Sequence, residues 1–334
     1  MTQIELSNAH LRVRVDVDHG AEITCLAGAD GVNWLSEPSW QSPLPASRSQ
    51  SYGNQALDWL SEYRGGWQEL FPNAGAACEV LGVPLPFHGE VSRARWQCEE
   101  GEEGRLLRLA TGARLPLVLE REMRLDAERP VLYLVERVRS EAAFPVPFIW
   151  AHHPAFGMPL AAPGARIDLP AARVMVDGGL DGPAVDLQPG SEHRWPLATG
   201  RHGEAIDLSI VPGPPVQRLC YLADLAEGWF ALRNLQAQAG IALAWDVEIF
   251  PHLWFWQEIG GGAGFPWYGR GDFVALEPAS QWPSHGLAAA DAAGHAHVLQ
   301  PGEIKEARLT CVLFAAGNAA VVHAGLDGTV TTSN

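Results

Sequence analysis

"LRVRVDVDHG", residues 11–20, alternates Leu11, Val13, Val15 and Val17 with Arg12, Arg14, Asp16 and Asp18. Successive side chains of an extended chain point to opposite faces, so this pattern predicts a strand with one buried and one wet face. "LPLVLEREMRL" (115–125) repeats it, with Leu117, Leu119, Met123 and Leu125 opposed to Glu120, Glu122 and Arg124. "IALAWDVEIF", "VLYLVERVRS", "GDFVALEPAS" and "RLTCVLFAAG" read as strands too, and clusters such as "GADG", "DAERP" and "GGGAGFP" supply the turns. Helical character is confined to the short "NQALDWLSEY" at 54–63, ended by the breaker "RGG". The expectation is an all-β chain of antiparallel strands stacked as two large sheets. Residues 1–334 are read as one domain, with 159–204, rich in Pro, Gly and Ala, as a long excursion from the sandwich.

Composition narrows the partners. The net charge is −16 with no basic run to offset it, which argues against nucleic acid and acidic membrane surfaces. Five scattered cysteines form no CxxC pair and read as reduced thiols. The N-terminus lacks a basic segment followed by an apolar one, and no run of apolar residues reaches membrane-spanning length. A cytoplasmic protein, monomer or homodimer, that binds a small molecule is the expectation. Thirteen tryptophans serve mostly as core, though flat indole faces also suit stacking on sugar rings.

Four stretches combine polar groups with rigid Gly/Pro-rich surroundings: "GGWQELFPNAG" (65–75), "LPFHGEVSRARW" (85–96), "WAHHPAFG" (150–157), and the pair "PHLWFWQE" (251–258) with "FVALEPAS" (273–280). In "WAHHPAFG" the adjacent His152 and His153 must face opposite ways if the segment is extended. Glu277 falls at the end of an apolar strand. His295 and His297 in "AGHAHVLQPGE" could share a strand face on a surface hairpin, but nothing beside them completes a zinc ligand set, so no metal is expected. A nucleophile elbow and a P-loop lysine are both missing from the sequence.

In their order and spacing, these stretches resemble the aldose 1-epimerase (galactose mutarotase-like) family. The resemblance runs from the N-terminal strand to residue 314. It implies a β-supersandwich with a sugar site in a cleft on one sheet, and interconversion of α and β anomers of a free hexose without a cofactor. It further implies that Glu277 in "LEP" is the catalytic base, that His153 is the acid, and that His88 in "LPFHGE" assists. Asn73, Glu69, Trp256 and Gln257 are then candidates for sugar contacts, with Trp254 or Trp256 as a stacking platform, while His152 shapes the wall or points away. Two departures concern substrate identity: "FPNAG" has Asn73 without a neighbouring Arg, and Pro154 and Ala155 follow His153 where the family carries Thr-Tyr. A hexose 6-phosphate epimerase is the close variant and would use arginines among Arg64, Arg93, Arg95 and Arg270. A non-catalytic sugar binder on the same scaffold, or an enzyme acting on polysaccharide, are the more distant alternatives.

Overall fold

The computed structural model describes residues 2–38, 51, 53–101, 104–170 and 173–333. Two antiparallel sheets dominate. The ten-stranded sheet runs, edge to edge, Gln3–Ser7, Leu11–Asp16, Glu22–Gly28, Trp67–Leu70, Ala151–Phe156, Asp272–Ala279, His252–Ile259, Val216–Ala223, Arg173–Val176 and Glu192–His193. The eight-stranded sheet runs Arg166–Asp168, Trp229–Asn234, Ala239–Trp245, Ile304–Ala315, Val131–Ser140, Leu117–Leu125, Leu106–Gly112 and Gln97–Glu100. The period-two pattern is what lets them stack: Leu11, Val13 and Val15 are all 2 % exposed or less, as are Leu117, Leu119, Met123 and Leu125.

The alternation also carries four ionisable side chains into the space between the sheets. Arg121 follows Leu119 on the buried face of its strand, and Glu136 follows Leu134 on the next strand, directly opposite Arg121. From the ten-stranded sheet come Glu69 and His152, themselves cross-strand partners. Charges buried in this way persist only when they find one another. Arg121 donates to Glu69, to Glu136 at 2.7 Å and to the carbonyl of Ala21 at 3.0 Å. Trp150 Nε1 donates to the other oxygen of Glu69 at 2.5 Å. His152 Nδ1 accepts from Trp67 Nε1 at 3.2 Å, while its Nε2 lies 2.9 Å from Glu136 in an ionic contact poorly aligned for a hydrogen bond.

The expected helix forms as Gln55–Glu62. Its N-cap, Asn54, accepts from the amides of Ala56 and Leu57, satisfying two of the orphan donors of the first turn. Gly65 and Gly66, both at positive φ, then turn the chain into strand Trp67–Leu70; a Cβ at Gly65 would stand 2.0 Å from the Ser36 carbonyl oxygen. A second short helix, Leu287–Ala292, follows the last strand of the ten-stranded sheet.

Two expectations are corrected. The 159–204 segment is no excursion: Arg166–Asp168 extends the eight-stranded sheet, while Arg173–Val176 and Glu192–His193 extend the other. Nor is "AGHAHVLQPGE" a hairpin, because His297–Leu299 pairs with Val146–Phe148 rather than with the strand after its turn. His297 Nε2 lies 2.9 Å from the Ile249 carbonyl oxygen, and His295 stands outside the strand.

Candidate functional site

The face of the ten-stranded sheet turned away from the other sheet carries the second polar cluster. Opposite Gln68, across the strand pair, stands His153. With Ala151 opposite Ala279 and Ala155 opposite Ala275, the same register sets His153 against Glu277. Glu277 in turn faces Trp254, which faces Tyr221. Three cross-strand partnerships thus place Gln68, His153, Glu277 and Trp254 in one row, and Trp256, two residues beyond Trp254, stands beside it on the same face.

His153 Nε2 lies 3.6 Å from Glu277 Oε1, with the two side chains only 1 % and 2 % exposed. Helix Gln55–Glu62 and the residue after it roof the pair. Trp59 and Tyr63 stack on each other at 5.1 Å, and each ring centroid is 5.6 Å from that of His153. Trp256 meets His153 edge-on at 6.3 Å and Trp267 at 5.3 Å. His88 completes the wall, 5.7 Å from His153 and 4.6 Å from Trp59. The His88 backbone is held at φ +59, and the Gly75 amide donates to its Nδ1 at 3.0 Å. That bond fixes the tautomer: the ring proton sits on Nε2, available as a donor.

Burial governs the protonation of this site. It pushes the Glu277 carboxyl well above the usual carboxylate range and pulls the His153 imidazole down to about 4. His88 is likewise driven well below its ordinary value by burial and by the neighbouring His153. Mutual attraction would favour the charged forms of both Glu277 and His153. Desolvation opposes that attraction, favouring the neutral imidazole and the protonated carboxyl.

Unmet hydrogen bonding is densest in this cluster. Among the described residues, Glu277 Oε2, His153 Nδ1, Tyr63 Oη and Gln68 Oε1 are buried without a partner, against Glu136 Oε2 and His152 Nε2 between the sheets. Buried polar groups are nearly always paired, so four orphans gathered beneath one aromatic roof call for a polar ligand.

Other candidates lie elsewhere. Glu69 and His152 belong to the network between the sheets, with no face toward His153. The ligand atoms of Glu69, Glu136 and His152 lie within 4.8 Å of one another, as in a metal site, but Arg121 already supplies the positive charge among them. Gln257 is on the opposite face from Trp256 and accepts from Arg218 at 3.0 Å. Asn73 donates to the carbonyls of Ala76 and Pro86 and accepts from the Leu287 amide at 2.7 Å, which ties the His88 loop to the second helix. The expectation that Glu69, Gln257 and Asn73 contact a sugar is therefore corrected, while His152 points away from the His153 face. Gln68 and Tyr63, which the sequence did not single out, lie on the His153 side instead. Strand parity held the signal for Gln68, since in "WQEL" only one of two adjacent polar residues can share a face with His153. Tyr63 lacked any such signal, because its position depends on how the helix docks.

Comparison with known proteins supports the architecture. No family model matches the chain, and no curated protein matches it by sequence. Solved structures do. A protein from Synechocystis sp. PCC 6803 aligns with a TM-score of 0.68 at 17 % identity, covering 94 % of this chain and 96 % of that one. A putative aldose 1-epimerase from Escherichia coli K12 gives 0.63 at 18 %, covering 94 % and 99 %. A galactose mutarotase-like protein from Lactobacillus casei ATCC 334 gives 0.57 at 18 %, covering 94 % and 100 %. The chain has the galactose mutarotase-like fold.

Proposed function

We propose that this fold carries an aldose 1-epimerase acting on a neutral free monosaccharide, with Glu277 and His153 as its acid–base pair. The observation that supports it most is the set of unpartnered polar atoms around two titratable groups 3.6 Å apart. Anomer exchange asks for little else: one proton taken from the anomeric hydroxyl and one given to the ring oxygen.

A sugar hydroxyl donating to Glu277 restores the polar surroundings that burial removed. The carboxylate is then favoured, and the proton passes to His153 as the loose 3.6 Å contact tightens around the sugar. Glu277 takes the proton of the anomeric hydroxyl as His153 protonates the ring oxygen. The bond from C1 to the ring oxygen breaks and a carbonyl forms at C1. This leaves Glu277 protonated and His153 neutral, the charge state that burial itself prefers. Rotation about C1–C2 followed by the reverse transfers closes the other anomer. His88 Nε2–H donates to the sugar, and Trp256 offers an indole to its apolar face.

The phosphorylated alternative finds less support. Arg64 is held by Asp16 at 3.1 Å and by Glu22 at 2.5 Å, Arg93 by Glu62 at 2.6 Å, and Arg95 by Asp18 at 3.3 Å. Arg270 stacks over the Tyr268 ring. A non-catalytic binder would have no use for a carboxyl and an imidazole set against each other in one buried site.

Two-dimensional NMR exchange on glucose, galactose and their 6-phosphates tests the reading. Accelerated anomer exchange of a free sugar, and not of its 6-phosphate, is expected. Acceleration confined to the phosphates would overturn the neutral substrate, and sugar binding without exchange would favour the binder.

A further inference from the structure

The proposed pair does not account for Tyr63. Its ring is packed on every described side: stacked on Trp59, edge-on to His153, and 5.9 Å from both Trp267 and Phe273. Packing would be served as well by phenylalanine. Yet the residue carries a hydroxyl, sealed from solvent and without a hydrogen-bond partner, on the side chain that roofs His153. An unmet buried hydroxyl is a cost to the folded state. Retained in a site where, among the described residues, Glu277 Oε2 is also unpartnered, it points to an oxygen that arrives with the ligand.

We infer that Tyr63 is a further catalytic residue, whose hydroxyl donates a hydrogen bond to the same sugar oxygen from which Glu277 removes the proton. The inference rests on the epimerase reading and deepens it. As the O–H bond of the anomeric hydroxyl breaks, negative charge gathers on that oxygen before the ring bond has parted. A donor already aimed there, in a water-poor site, lowers the barrier without itself giving up a proton. Burial and the nearby Glu277 carboxyl both hold the phenol well above its ordinary range, so it stays protonated and acts purely as a donor. Gln68 Oε1, by contrast, can only accept, and it is left to a different hydroxyl of the sugar.

Tyr63→Phe keeps the ring and removes only the hydroxyl. The expected result is a roughly hundredfold loss of kcat for anomer exchange with KM changed less than about threefold, the pattern of an interaction made in the transition state. The free variant should melt no lower than wild type, since it has lost an unsatisfied group rather than a bond. Wild-type exchange rates in Y63F, or a loss carried by KM alone, would overturn the assignment. The epimerase reading is judged separately. If wild type is stabilised by a sugar yet exchanges no anomers, that reading falls. That outcome overturns the catalytic role of Tyr63 as well; in an active wild type the sugar-induced rise in melting temperature should persist in Y63F while turnover falls, and its loss would overturn the assignment. A wild type that no monosaccharide stabilises or turns over sinks both.

Discussion

His152 and His153 are joined by one peptide bond and are equally buried, yet they belong to opposite kinds of polar cluster. Between the sheets, His152 lies against Glu136, and Arg121 ties Glu136 to Glu69, so a guanidinium stands between the two carboxylates. On the outer face, His153 and Glu277 share a loose 3.6 Å contact among orphaned polar atoms and aromatic rings. Burial alone therefore does not mark a functional group. The difference lies in charge compensation: Arg121 bridges both carboxylates between the sheets, whereas among the described residues no arginine pairs with Glu277, and a ligand can take up what the protein leaves there.

The two sides should respond differently to mutation and to acid. The largest stability effect is expected from Arg121→Met, which strands two carboxylates between the sheets and should cost about 3–5 kcal/mol by equilibrium denaturation. A loss below about 1 kcal/mol would mean that the network is not what joins the sheets. Acidification acts on the other side. His153 is held at about 4 in the folded protein against an ordinary 6.5, so the unfolded chain binds its proton first. Its contribution is fully present above about pH 6.5 and is lost as the pH falls toward 4, on the order of 2–3 kcal/mol in total. His252, also drawn down to about 4 by burial, acts in the same sense. Denaturation curves from pH 7 to 4.5 should show a shallower fall in His153→Asn than in wild type, and an identical slope would refute the buried, neutral imidazole. Smallest is Glu62→Gln at the end of the roofing helix. It weakens a partly exposed pair with Arg93, 2.6 Å apart, and should lower stability by less than about 1 kcal/mol. A larger drop would show the helix to depend on that tie.

Much of this was legible in the strands. Period-two alternation in "LRVRVDVDHG" and "LPLVLEREMRL" identified buried faces that the sheets now bury, and it required His152 and His153 to diverge. It also carried a warning that was not heeded: Arg121 shares parity with Leu119 and Met123, so an arginine had to enter the core and find acids there. Glu69 was read as a sugar contact because its stretch looked rigid and polar. Its true partner comes from a strand more than fifty residues away, and no local pattern reports such a meeting. Tyr63 was invisible for a related reason. A tyrosine closing a short amphipathic helix reads as packing, and only the docked helix shows that its hydroxyl has nothing to bond.

One paired substitution tests the contrast most directly: Glu277→Gln against Glu136→Gln, each followed by anomer exchange and by thermal melting. The prediction is a double dissociation. E277Q should lose exchange by roughly 10²-fold or more and melt close to wild type, whereas E136Q should melt far lower. An E277Q protein that still exchanges anomers at the wild-type rate, or that unfolds as readily as E136Q, would contradict the assignment of the outer cluster to catalysis and the inner one to structure.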